Sequence, residues 1–285
     1  MIMKIIKYLS LVVAVTLLAS CEKHEVEYLA TPIDNMAEFQ LHYMNPVVAA
    51  AANNIMRVEV NGKLVANEKA PLNTYNAVPS GAVGRFYTVN PGNVNIKLYL
   101  KTKLTPVSDS LVYDQNVTLA AKKQNVFVHD FTKPAIIFDN GYPYVRRETV
   151  TTDSIAWINF YNFLYETAGV PTTKIIQYQY VDYRTSALVN IGEPVAFGES
   201  TGWEQVTVVK DNVVSQGSRT MTYKMKEVDS NGNVIGDFMI MNTSGTYVAY
   251  SGTLSTGIGR RYHQIMAGFR AVKSPNSSVR TFTAL

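Results

Sequence analysis

The chain has 285 residues, with 26 Lys and Arg against 22 Asp and Glu, a formal charge of +4. At 47% apolar and 17% charged residues it is too apolar for a disordered chain, and its length suits about two domains. One cysteine excludes an internal disulfide framework and a cysteine-built structural zinc site.

In chain order, residues 1–20 read as a signal peptide. Lys4 and Lys7 precede an apolar run, Tyr8–Leu18, which matches the charged and apolar regions of a secretory signal. That run is shorter than the ~20 residues a membrane span needs. It ends in Leu18-Ala19-Ser20-Cys21, with two small residues before the cysteine. This quartet resembles the lipobox of bacterial lipoproteins. The resemblance implies lipidation of Cys21 by diacylglycerol, cleavage just before it and an acyl chain on the new N-terminus, so that the membrane is a partner through lipid. Several acyl chains hold far more firmly than one, at about 0.8 kcal/mol per buried CH₂. Glu22-Lys23-His24-Glu25-Val26-Glu27 resembles the export signals of Bacteroidota surface lipoproteins, which implies an outer-membrane protein displayed at the cell surface; a periplasmic orientation is the alternative. Residues 21–35 lack periodicity and contain Pro32, so they read as a flexible tether. Without Lys4 and Lys7 half of the charge surplus is gone. No block of five like charges occurs, and nucleic acid is not an expected partner.

The rest is dense in strand patterns, and two β-rich modules are expected, over 36–139 and 149–285. Val94, Ile96, Leu98 and Leu100 alternate with polar residues and Tyr99, giving one face buried and one wet. Met56, Val58 and Val60 alternate with Arg57 and Glu59, and Asn61-Gly62 follows, a strong hairpin signal because both residues tolerate positive φ. Further strands are expected at Glu38–Met44, Arg85–Val89, Ser110–Leu119, Asn125–Phe131 and Ala135–Phe138. Pro46–Asn54 reads as a loop or short helix. The second module offers Ile155–Phe163, Lys174–Tyr183, Gln205–Val209, Arg219–Val228, Val234–Asn242, Tyr247–Leu254, Tyr262–Arg270 and Val279–Thr283. Asn140–Glu148, with Asn-Gly and Pro143, reads as the linker. Fold class is therefore all-β, two tandem immunoglobulin-like sandwiches after a signal peptide and tether.

The halves share an order of elements. Ala37–Asn45 matches Ile155–Phe163 in pattern, Ile55–Val60 matches Ile175–Tyr180, and Asn125–Phe131 matches His263–Phe269. This order points to a tandem repeat. Tyr43-Met44-Asn45-Pro46, then Val58-Glu59-Val60-Asn61-Gly62, then Asn90-Pro91-Gly92-Asn93-Val94 carry a resemblance over about residues 36–131. They are similar to repeats of uncharacterised bacterial surface lipoproteins with immunoglobulin- or transthyretin-like sandwiches. The Ala-rich stretch Val47–Ala52 departs from that pattern. The resemblance implies architecture and no activity.

Motifs for chemistry are scarce. His24 lies in the tether, and His42, His129 and His263 lie on three different strand candidates with no metal-ligand spacing, so these three read as isolated strand histidines, with a histidine site built from three strands as the alternative. No Gly-x-Ser-x-Gly elbow or Gly-Lys-Ser/Thr phosphate loop occurs. Gly257-Ile258-Gly259 reads as a hairpin loop. Asp229, Asn231 and Asn233 resemble the start of a calcium loop, but its twelfth position is Ile240, so a turn is expected. No cofactor, metal or catalytic residue is expected. Exposed aromatics can stack on sugars, and Trp203, Tyr178 and Tyr180 are the candidates for glycan contact; Trp157 reads as core. The expected function is non-enzymatic binding, adhesion or surface assembly, with an unknown surface protein or glycan as partner. The alternatives are a glycan-binding accessory of polysaccharide uptake and a surface hydrolase.

Overall fold

A computed structural model describes residues 35–79, 85–101, 109–140, 155–183, 185–208, 217–273 and 277–284. The signal peptide, Cys21, all but the last residue of the tether, and 141–148 of the expected linker lie outside the described residues.

The described chain is all-β. The first sandwich uses β1 (Ala37–Tyr43), β2 (Ile55–Val60), β3 (Lys63–Ala66), β4 (Asn76–Val78), β5 (Tyr87–Val89), β6 (Gly92–Lys101), β7 (Asp109–Leu119), β8 (Lys123–Val128) and β9 (Ile136–Asp139). One sheet runs β4-β1-β8-β9, with β5 also on β1, and the other runs β3-β2-β6-β7. Asn61 at φ 49° and Gly62 at φ 73° close the β2–β3 hairpin, the left-handed pair that this tight turn requires. The stretch before β2 is loop with one 3₁₀ turn at Ala51–Asn53.

The second sandwich uses β10 (Ile155–Thr167), β11 (Val170–Pro171), β12 (Ile175–Val181), β13 (Leu188–Asn190), β14 (Ser200–Thr207), β15 (Ser218–Val228), β16 (Val234–Asp237), β17 (Met239–Met241), β18 (Tyr247–Ala249), β19 (Ser251–Gly257), β20 (Arg261–Phe269) and β21 (Ser278–Ala284). Its sheets are β11-β10-β20-β21, with β14 on β10, and β13-β12-β15-β16, with β19 on β15. Val234–Asn242 is not one strand. Phe238 is fully buried and bonds through its backbone to Met225 and Tyr250, which breaks the run before the separate β17–β18 hairpin. The Gly257–Arg260 loop does not close a hairpin, because β19 and β20 belong to different sheets. At Asp229–Asn233, the Asp229 carboxylate accepts the backbone N–H groups of Asn231 and Asn233, so this segment is the turn its sequence indicates.

Both sandwiches follow one plan. The opening strand pairs in parallel with a late strand, β1 with β8 and β10 with β20. That late strand pairs antiparallel with the last, β9 or β21. The segments matched by pattern fall at equivalent places: β1 with β10, β2 with β12, β8 with β20.

Alternation decides which side chain goes where. Phe39, Leu41 and Tyr43 of β1 join Val58, Ile96 and Val126 in the first core. Ile158, Phe160 and Leu164 of β10 join Tyr178, Met225 and Met266 in the second. In both opening strands the opposite face is buried too. Met44, Tyr75, Ala77 and Phe127 from the first sandwich meet Tyr161, Phe163, Ile265, Ala267 and Phe282 from the second in a third cluster. The sheets containing β1 and β10 therefore pack face to face, and four sheets stack as layers.

Candidate functional site

The glycan platform expected from sequence is corrected by burial. Tyr178 is fully buried, stacked on Phe160 at 4.4 Å, and its hydroxyl donates to Gln264 Oε1 at 3.3 Å. Burial raises its pKa well above the usual phenol value. Tyr180 is also buried. Both are packing residues of the second core, as β-propensity alone would have placed them. Trp203 is half-buried, with its ring 4.8 Å from His263, so one face is covered by protein. The three do not form one open surface. Trp157, on the opposite face of β10 from Ile158, is buried away from the second core. Cys21 lies outside the described residues.

A shallow cleft of about 270 Å³ lies at the β12 and β15 ends, lined among others by Asp182, Tyr183, Arg219, Thr220, Thr222 and Thr256. Arg219 Cζ lies 3.0 Å above the Tyr183 ring centre and covers one face, while Tyr183 as a whole stays 50% exposed. Asp182 accepts from the Thr185 backbone and hydroxyl. The cleft presents threonine hydroxyls beside the half-exposed Tyr183 ring.

The strongest concentration of polar chemistry lies in the layer between the sandwiches. His42, His129 and His263 all sit there, buried. The strand order explains why. β1 with β8, and β10 with β20, are the parallel centres of the two facing sheets, and each histidine lies on or next to one of these strands. His42 stacks on Phe127 at 4.4 Å, meets Phe282 edge-on at 5.1 Å, and lies 6.4 Å from the His263 ring, also edge-on.

Asn125 Nδ2 donates to Asn140 Oδ1 at 3.0 Å, which makes Asn125 Oδ1 the acceptor facing His42 Nε2 at 3.2 Å. The His42 proton is then on Nε2, and Nδ1 is a bare lone pair. That nitrogen is buried without a hydrogen-bond partner. Tyr161, from the second sandwich, sits 3.0 Å from His263 Nδ1. His263 Nε2 is likewise buried without a partner. Asn140, Asn125 and His42 form one hydrogen-bonded chain in the first sandwich and Tyr161 and His263 a second in the other, and the edge-on contact of His42 with His263 brings the two together.

Electrostatics follow from burial. Desolvation lowers His42 to about 3, with the Asn125 hydrogen bond opposing it. His263 is held well below the ordinary imidazole value, first by burial and then by His42. Tyr161 is pushed upward by burial. His129 differs. Tyr165 donates to its backbone carbonyl at 3.0 Å, its Nδ1 lies 2.9 Å from the same hydroxyl, and Asp130 partly offsets the lowering by burial.

Spacing in the sequence does not show that these histidines share one layer. One signal could have joined them. Ile155–Tyr165 is an almost unbroken apolar and aromatic run, which marks a strand buried on both faces rather than one. Among the described residues, no three His, Cys, Asp or Glu converge as metal ligands. No protein-family model matches the chain, and no curated protein matches it either.

Proposed function

We propose that this chain is a lipid-anchored protein of a Gram-negative cell envelope that acts by display, through binding, adhesion or surface assembly rather than catalysis. The observation that carries the reading is Leu18-Ala19-Ser20-Cys21 at the end of a charged-then-apolar leader. Support also comes from the all-β architecture, whose three interiors are filled by packed side chains. In this reading acyl chains on Cys21 hold the protein, residues 22–35 give it reach, and loops and sheet edges meet the partner. Cys21→Ser should abolish incorporation of labelled fatty acid and move the protein from membrane to soluble fraction. Persistent labelling would overturn the anchor. Protease shaving of intact cells then separates surface display, with the chain degraded, from periplasmic residence, with the chain protected.

A further inference from the structure

We propose that the layer between the two sandwiches is a proton-operated latch: protonation of the His42–His263 pair releases the two facing sheets, while each sandwich keeps its own core.

The pair is divided between the parts it would control. His42 belongs to β1 and His263 to β20, and their rings lie 6.4 Å apart. Each ring already spends one nitrogen on a polar neighbour, Asn125 or Tyr161. The other nitrogen of each is fully buried and unpartnered. Once doubly protonated, each ring would carry an N–H at that nitrogen with no acceptor to receive it, and an uncompensated buried charge is among the costliest things a core can hold.

The surroundings do not rescue that charge. On the same face of β1, Glu38 lies four residues from His42. From β8 come Lys123 and, just after the strand, His129; from the loop before β4, Tyr75. From β10 come Tyr161 and Tyr165, from β20 Arg261, and from β21 Arg280, whose guanidinium lies 4.9 Å over Tyr75. β4, β5, β9, β11 and β14 turn no ionisable side chain toward the pair. The nearest charged neighbours along the strands, Arg261 and Arg280, are cations. No carboxylate figures in the protonation of either histidine: burial depresses both, His42 depresses His263 further, and the Asn125 hydrogen bond opposes the depression of His42. The way to solvate the added charge is to part the layer.

Parting is physically available. The first sandwich retains the cluster around Phe39, Val58, Ile96 and Val126, and the second the cluster around Phe160, Tyr178 and Met225. The shared cluster is smaller, nine residues among those described. Two packed states of one chain, differing in a single interface, form a two-state element that protons can bias.

The experiment follows the full chain in detergent from pH 7 to 3.5, by tryptophan fluorescence, small-angle scattering and far-ultraviolet circular dichroism. Trp203, beside His263, reports locally. Expected is a reversible fluorescence change and an increase in radius with a midpoint between about pH 4 and 6, while the strand signal persists. His42→Gln and His263→Gln should each lower that midpoint by about one pH unit or more, and His129→Gln by clearly less. Constant fluorescence and radius down to pH 4 would overturn the latch. So would coincident loss of strand signal, or midpoints indifferent to both variants. If either variant fails to fold, imidazole carbon NMR of the wild-type chain decides. His42 and His263 should stay neutral until the radius changes and then titrate with it. Titration near their ordinary value without expansion would sink the idea.

Discussion

The interior of each sandwich and the layer between the sandwiches are lined by opposite faces of the same strands, yet their chemistry differs. Phe160 and Phe163 stand three positions apart on β10. Phe160 stacks on Tyr178 in the second core, surrounded by Ile158, Val206 and Met225. Phe163 stacks on Phe127 of the other sandwich at 4.7 Å, in a layer that also holds three histidines, Asn125 and Tyr161. The second core, whose buried polar groups such as the Tyr178 hydroxyl and the Gln264 amide stay uncharged across the ordinary pH range, depends mainly on volume. A layer with buried imidazoles depends on volume and on their staying neutral. The difference implies that solution conditions act on docking before they act on folding of either sandwich.

Cavity mutants give the largest effect and the cleanest break of this comparison. Phe160→Ala and Phe163→Ala should each cost about 3–5 kcal/mol, the usual range for a buried phenylalanine. The loss should appear differently. With Phe160→Ala the second sandwich itself weakens. With Phe163→Ala the coupling weakens, and calorimetry should resolve two unfolding transitions where the wild type has one. A single transition in Phe163→Ala would mean that the shared layer is not what couples the sandwiches.

Next in size is the pH dependence. His42 and His263 have folded pKa values depressed below the unfolded value near 6.5. The unfolded chain therefore binds more protons below that pH, and stability falls as pH falls. Their contribution is fully present above about pH 6.5 and is lost on the way down to about pH 3, where His42 itself titrates. Each histidine that stays neutral costs up to about 1.4 kcal/mol per pH unit, a slope reached only below its unfolded pKa, so the pair costs about 3 kcal/mol between pH 6.5 and 5. Denaturant midpoints measured across that range check the slope, and flat midpoints would contradict the buried, neutral state of the pair.

These effects lie where sequence reading was weakest. Period-two alternation is enough to reveal β6, whose Val94, Ile96 and Leu98 are buried while Lys97 is half-exposed. The Asn61-Gly62 turn was legible for the same reason: a local geometry demands particular residues. β4, β11 and β13 went unseen because three or two residues carry no period, and they exist through pairing with β1, β10 and β12. The inter-sandwich layer was hidden for another reason. A strand buried on both faces loses its alternation, and Tyr161 or Phe163 gives no hint of which neighbour covers it. Tyr178 and Tyr180 could be core or platform from sequence alone, since a tyrosine in a strand serves a core as well as a surface, and burial makes them core. Only the pairing of β1 with β8, and β10 with β20, brings His42, Asn125 and His263 together.

A subtler probe of the shared layer is Tyr165→Phe. It removes one hydroxyl that donates to the His129 carbonyl and sits 2.9 Å from His129 Nδ1, and it leaves the ring packing against Phe197 in place. The expected loss is about 1–2 kcal/mol, because a buried carbonyl and a buried imidazole N–H lose their partner together. Equilibrium unfolding at pH 7 reads it. An unchanged stability would mean that this crossing contact is replaced by another donor.

The smallest effect should come from the outer edge of the same sheet. Lys122 and Asp139 form an ion pair at 2.5 Å where β8 meets β9, with about half of each side chain exposed, 48% and 51%. Water and salt screen such a pair, and two long side chains lose freedom to form it. Lys122→Ala should therefore change stability by less than about 0.5 kcal/mol and leave the pH slope untouched. The register supports this: the backbone pairing of Gln124 with Asp139 and of Asn125 with Phe138 holds β9 without the ion pair. A loss several times larger would show that β9, which carries Phe138 into the shared layer, is clamped from its rim rather than by the aromatic packing of Phe138 on Phe127 and Tyr161. The distinction between a polar, condition-sensitive layer and its inert surroundings would then have to be redrawn one strand further out.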